Sequence, residues 1–256
     1  MSYLIAVSGK GGVGKTTLAG LIVTRLIEQN CKPVLAVDAD PNMCLDGVLG
    51  VKVVETIGRV RESSRREAQK GLAAGISKQE MIELKISESL VEAEDFDLIA
   101  MGRSEGAGCY CYANNVLKNA IGQMSDAYPY VVLDNEAGLE NLSRRIVQKV
   151  DLMIMIADPS KRGLETVGRL HKLAGEMEIK YDKLAIVINR MRRDELPEYI
   201  ETLQEATNAD YIIGLPDNQE LADIAESGDN IQKLSADNPV IVKLDDLLGK
   251  ALSDKQ

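Results

Sequence analysis

Continuous apolar runs alternate along this chain with longer stretches in which apolar residues recur every three or four positions. The runs are Leu4–Ser8, Val34–Asp38, Asp97–Met101, Tyr130–Asp134, Leu152–Ala157, Leu184–Asn189 and Asp210–Leu215. Each is short, and each lacks the polar alternation of a strand with one wet face, so the pattern predicts buried strands. Helical periodicity marks Thr16–Gln29, Leu139–Lys149, Arg162–Met177 and Pro197–Thr207. Strands buried on both faces and alternating with helices predict an α/β fold, a mostly parallel twisted sheet with helices on both faces. In such a sheet, ligands sit at the carboxyl ends of the strands. The segment Val51–Glu94 carries mixed charge and is expected to be mostly helical and solvent-facing. The amphipathic stretch from Val240 is expected to be a helix packed on the sheet.

Composition narrows the picture little but usefully. The 256 residues hold no repeat or linker-like tract, so a single domain over residues 1–256 is expected. A formal net charge of -10 opposes attraction to DNA or to an anionic membrane surface, and neither is expected as a partner. The N-terminus "MSYLIAVSGKGG" has no basic stretch before its apolar run and reads as a strand, not a signal peptide. Four cysteines at irregular spacing suit a reduced, cytoplasmic protein, in which close thiols bind metal or do redox work more often than they staple a fold.

Directly after the first strand comes "GKGGVGKT", Gly9–Thr16, followed by a helical pattern. Strand, glycine loop and helix in that order form a P-loop. Gly9, Gly11, Gly12, Val13 and Gly14 supply backbone N–H groups to phosphates, Lys15 reaches the β and γ oxygens, the hydroxyl of Thr16 binds Mg²⁺, and Thr17 next to it is expected at the nucleotide. A nucleoside triphosphate and Mg²⁺ are therefore expected cofactors at this loop. Carboxylates at the ends of the second and fourth strands, Asp38 and Asp40 in "DADPN" and Asp134 in "LDNEAG", stand where they hold Mg²⁺ through water or orient the attacking water. The residues alone leave Asp38 and Asp40 interchangeable in those roles.

The extra lysine inside the loop, Lys10, makes the stretch resemble the deviant Walker A ATPases, whose signature is K-G-G-x-G-K-[ST]. The resemblance implies that the nucleotide is ATP and that Lys10 reaches across a homodimer to the partner's phosphates, so that ATP hydrolysis depends on dimerisation. It gives Asp40 the water-positioning role beside the catalytic Lys10 and Lys15, and puts Asp38 and Asp134 in the Mg²⁺ shell. It also implies that Asn189 and Arg190 in "INRM" contact the adenine, and that Leu215 and Pro216 in "GLPDN" pack on the base. Three residues after Asn189 stands Arg192, where a guanine reader would carry aspartate.

Cys109 and Cys111 are one residue apart in "GRSEGAGCYCYANN". In an extended segment their Cα atoms would be roughly 6–7 Å apart on one side, which suits two thiolates on one metal. His171 lies among charged residues in a helical pattern, and Cys31 and Cys44 are isolated, so none completes a four-ligand set. A two-fold dimer does so by bringing two Cys-x-Cys pairs together, and thiolates suit Zn²⁺ or Ni²⁺. With this pair the chain resembles the nickel-insertion ATPases of carbon monoxide dehydrogenase and acetyl-CoA synthase, the CooC and AcsF type. That resemblance implies a homodimer loading Ni²⁺ at Cys109 and Cys111 and delivering it to one of those apo-enzymes. The alternative is an iron-protein-like electron carrier with a cluster bridging the dimer; its second cysteine would lie in the segment that here reads "DNEAGLE".

Overall fold

The computed structural model describes residues 2–59, 78–103, 110–139, 142, 146–147 and 149–253. In chain order the elements are β1 (Tyr3–Gly9), α1 (Lys15–Glu28), β2 (Val34–Asp38), α2 (Leu45–Leu49), α3 (Lys78–Ser89), β3 (Leu90–Glu92), β4 (Phe96–Ala100) and α4 (Tyr110–Met124). They continue with β5 (Tyr130–Asp134), β6 (Val150–Ala157), α5 (Lys161–Glu176), β7 (Tyr181–Met191), α6 (Ile200–Thr207), β8 (Tyr211–Pro216), α7 (Gln219–Ser227) and α8 (Pro239–Leu252). The strands form an eight-stranded sheet in the order β3-β4-β2-β5-β1-β6-β7-β8. Every pairing is parallel except β3 with β4.

Alternate residues of each strand enter opposite cores, as the pleat requires. On one face Ile5, Val7, Val132 and Ile154 pack with Leu18 and Ile22 of α1 and with Leu244 and Leu248 of α8. On the other, Leu35, Leu133, Met153 and Ile186 pack with Leu117 and Ile121 of α4 and with Leu164 and Val167 of α5. Both faces are dry, which explains why the strand sequences are continuously apolar. The expected α/β architecture is thus the observed one. Its loops at the carboxyl ends of β1, β2, β5, β7 and β8 all open on one edge of the sheet.

The stretch from Val240 does fold as a helix on the sheet. Seven of its residues, from Val240 to Leu252, are buried. Arg25 of α1 grips Asp245 of α8 through Nε at 2.8 Å and Nη2 at 2.9 Å. No described helix is long and apolar enough to cross a membrane.

Some expectations need correction. The segment Val51–Glu94 is not simply a solvent-facing helix: Thr56, Ile57, Ile86 and Ser89 are buried, and after α3 the chain forms the antiparallel edge strand β3. Residues 60–77 of it lie outside the described residues. The helix expected over Leu139–Lys149 falls largely outside them too, although Leu139, Leu142 and Ile146 join the core. Helices α4 and α7 were not foreseen from periodicity.

Candidate functional site

The loop between β1 and α1 is shaped by its glycines. At Gly9 a Cβ would sit 2.4 Å from the Ile156 carbonyl oxygen of the neighbouring β6, so only glycine lets the two strands approach this closely. Gly12 and Gly14 have φ of 79° and 99°, in the left-handed region that side chains disfavour. Gly14 caps α1 without any side-chain acceptor, which leaves the first N–H groups of the helix pointing into the loop. Val13 is buried, Lys10, Gly11 and Gly12 are exposed, and Thr16 and Thr17 are half-buried. Lys15 is buried, and its ammonium curls back to the Lys10 carbonyl at 3.3 Å. The backbone N–H groups at the start of α1 and the buried Lys15 ammonium together suit the phosphates of a nucleotide.

Strands β2 and β5 deliver the carboxylates side by side, with Asp38 in register with Asp134. Their surroundings differ. Asp38 accepts from the backbone N–H of Asp40 on Oδ1 and from those of Cys44 and Leu45 on Oδ2, each at 3.0 Å. It therefore organises the turn that follows β2; burial raises its pKa to about 6 against the pull of those N–H groups. Asp134 is equally buried, yet neither of its oxygens has a hydrogen-bond partner of ordinary geometry among the described residues. Burial raises its pKa to about 7, with the nearby Thr16 hydroxyl and the Lys15 charge favouring ionisation. A dry carboxylate with both oxygens open, next to a threonine hydroxyl and the phosphate cradle, fits a hydrated Mg²⁺, whose waters are the donors it lacks. Asp40 is half-buried and accepts from the Asn42 N–H at 2.8 Å.

At the other side of the loop, β7 and β8 end together, with Met191 in register with Pro216 and Leu215 buried. Asn189 donates through Nδ2 to the Val13 carbonyl at 2.9 Å, and Arg190 through Nη1 to that of Gly12 at 3.4 Å. Both residues implied to read the adenine therefore also brace the phosphate loop. Arg190 has φ of 58° where the β7–β8 register shifts, so the backbone is bent to aim it there.

The cysteine pair is less visible. Cys109 lies outside the described residues, and Cys111 stands in the first turn of α4. The extended geometry expected for the pair is thus corrected at Cys111. Val116, Leu117, Ala120 and Ile121 bury one face of α4, and that packing carries the helix back to Tyr110. Among the described residues, no group of three or more His, Cys, Asp and Glu is placed to hold a metal ion. His171 instead bonds the Tyr181 hydroxyl at 3.0 Å, and Cys31 and Cys44 are free thiols.

Sequence reasoning missed two residues of this edge. Asn135, directly after β5, is buried against Val7 and Ser8. Arg103, leaving β4 toward the cysteines, donates to the Asn42 side chain in the turn after β2. The first had a signal, an uncharged polar residue at the end of an apolar strand; the second had none, because its partner is set by strand order.

Residues 2–186 match the family model of the AAA domain. The chain is 41% identical over 253 residues to an uncharacterized ATP-binding protein of Methanocaldococcus jannaschii, covering 98% of this chain and 99% of that one. It is 28% identical over 188 residues to the carbon monoxide dehydrogenase accessory protein CooC of Rhodospirillum rubrum, covering 69% of this chain and 70% of that one. Among solved structures, the septum site-determining protein MinD of Pyrococcus horikoshii, complexed with Mg-ADP, has the same fold. Its TM-score is 0.66 at 20% identity, over 98% of this chain and 99% of that one.

Proposed function

The chain belongs to the AAA domain family, and from that premise we propose that it is a P-loop ATPase of the MinD/ParA kind working as an ATP-dependent nickel metallochaperone. The observation that carries this reading is Cys109-Tyr110-Cys111 in a P-loop ATPase that counts a carbon monoxide dehydrogenase accessory protein among its relatives. Two copies of the pair, facing each other in a homodimer, bind one Ni²⁺ or Zn²⁺ as cargo. The client is apo carbon monoxide dehydrogenase or apo acetyl-CoA synthase.

The nucleotide cycle drives the transfer. Lys15 and the loop N–H groups hold the triphosphate, and Thr16 and Asp134 hold the place of Mg²⁺, which when bound neutralises charge on the β and γ oxygens. Asp38 fixes the turn that carries Asp40, and Asp40 orients a water toward the γ-phosphorus. That water forms the new P–O bond as the bond to the β-phosphate oxygen breaks, giving ADP and inorganic phosphate. Lys10 of each protomer stabilises the charge on the other's transferring group, so hydrolysis requires the dimer and changes it. Asn189 and Arg190 hold the base and the loop together, which links base recognition to phosphate geometry.

The test is reconstitution. Each apo-enzyme is incubated with Ni²⁺, ATP and either this protein or its Cys111→Ser variant, and activity is scored. The proposal expects nickel-dependent activation that needs both ATP and the cysteines. Equal activation by the variant contradicts it, and a broad absorption near about 400 nm in anaerobically purified protein favours an iron–sulfur electron carrier instead.

A further inference from the structure

Asn135 is 1% exposed at the point where β5 ends beside the phosphate loop. Its Nδ2 donates to the Val7 carbonyl at 3.0 Å and to Ser8 Oγ at 3.2 Å, and its own N–H donates to Val7 at 3.2 Å. A carbonyl only accepts, so Val7 fixes which branch of the carboxamide faces β1 and directs Oδ1 the other way. That Oδ1 is buried and has no hydrogen-bond partner among the described residues. Together with the two oxygens of Asp134 it makes up the whole set of buried side-chain oxygens and nitrogens without partners among the described residues. Natural interiors rarely leave such atoms unpaired, and here all of them sit on two consecutive residues at the nucleotide site.

Asn135 is also one end of a clamp. Three residues on, the Gly138 N–H donates to the Gly9 carbonyl at 3.1 Å. The chain from Asn135 to Gly138 is therefore fastened at both ends to the last residues of β1 and the first of the loop. Between these ties, Ala137 lies against Gly11, with its Cβ 3.9 Å from where a Cβ on that glycine would stand. These ties fix the position of Asn135 relative to the loop.

We propose that Asn135 is a positioning residue for ATP hydrolysis. Its amide donors lock the segment after β5 to the start of the phosphate loop. Its Oδ1 accepts a hydrogen from water ordered by the bound triphosphate, and so is satisfied only in the ATP state. The stored unpaired acceptor then favours ATP over ADP, because ADP brings no γ-phosphate to order that water. This rests on reading the chain as an ATPase.

The experiment uses the full-length protein, wild type and Asn135→Ala, with Asn135→Ser as a second variant that keeps a hydroxyl donor for β1. Three quantities are measured: affinity for Mg·ADP, affinity for a non-hydrolysable Mg·ATP analogue, and turnover at saturating ATP. The expected result is Mg·ADP affinity within about threefold of wild type, analogue affinity about tenfold weaker, and kcat reduced by at least about tenfold. A residue that merely braces β1 would instead weaken both nucleotides by one factor, lower the thermal midpoint and leave kcat unchanged; that pattern in both variants overturns the inference. If wild type itself shows no turnover, the ATPase reading fails, and the ratio of analogue to ADP affinity still decides the role of Asn135.

Discussion

The Asn189 side chain donates to the Val13 carbonyl at 2.9 Å, so the end of β7 is tied directly to the phosphate loop. A Cβ on Gly14 would lie 2.6 Å from that same nitrogen. Replacing Asn189 by alanine leaves a loop carbonyl unpaired and should cost about 1–2 kcal/mol of ATP binding, or roughly 5–30-fold in Kd. Gly14→Ala should do more harm, since it adds a clash to a residue at φ of 99°. Isothermal titration with Mg·ATP checks both, and an Asn189→Ala protein that binds like wild type would contradict the brace.

Burial raises the pKa of Asp134 to about 7 and that of Asp38 to about 6, both above the ordinary carboxylate value of about 3.9. Between about pH 4 and pH 7 the folded protein then holds more protons on these groups than the unfolded chain does. Their contribution to stability is full below about pH 4 and is lost as pH rises through the folded values. Without nucleotide, Asp134→Asn should therefore melt higher than wild type at pH 8, by about 2–4 °C for about 1 kcal/mol. The gap should close as pH falls toward 5. A melting series from pH 5 to 8 on both proteins measures it, and a gap that is constant with pH would show that Asp134 is not buried as a charge.

Lys10 and Lys15 should separate binding from hydrolysis. Lys15→Ala should weaken ATP binding, since Lys15 is buried in its own loop. Lys10 is exposed, and Lys10→Ala should keep binding but lose most hydrolysis. Mixing Lys10→Ala with Asp40→Asn, each inactive alone, should recover activity in hybrid dimers that carry one intact composite site. No recovery at any mixing ratio would rule out action in trans.

The Arg25–Asp245 pair joins the helix after the phosphate loop to α8 through two parallel bonds, with side chains 12% and 31% exposed. Such bidentate, partly sheltered geometry is worth more than an ordinary surface pair. Arg25→Ala should cost about 1–2 kcal/mol in urea unfolding, with Asp245→Ala adding little beyond it. Fully additive losses would mean that the two residues do not act as a pair.

How much of this was legible in the sequence depends on how local the cause is. The runs Val34–Asp38 and Tyr130–Asp134 are strands with those same bounds, because burial on both faces writes itself as uninterrupted apolar sequence. The helix expected over Arg162–Met177 is α5, one residue earlier, and the phosphate loop announces itself through its glycines. Strand β3 is three residues, Leu90 and Val91 half-buried and Glu92 exposed, whose only reason to be extended is its neighbour β4. Helix α4 begins with tyrosines, Asn114 and Asn115, which favour helix poorly, and it is held by packing that only the fold supplies. The same holds at the site. Asp38, Asp40 and Asp134 were all visible as strand-end carboxylates, but which one is saturated by backbone N–H groups and which stands open follows from the turn after β2 and the β2–β5 register.

The central claim is a metal shared between two copies of Cys109 and Cys111, and metal titration with molar mass followed by light scattering tests it most directly. The account predicts one tightly held Ni²⁺ or Zn²⁺ per two chains, a shift from monomer to dimer on loading, and weaker binding as pH falls and protons compete for the thiolates. Cys109→Ser or Cys111→Ser should each abolish tight binding, since each removes two of the four ligands, while ATP binding persists. One tightly held metal per monomer, or a Cys111→Ser protein that binds with wild-type strength and stoichiometry, would contradict it.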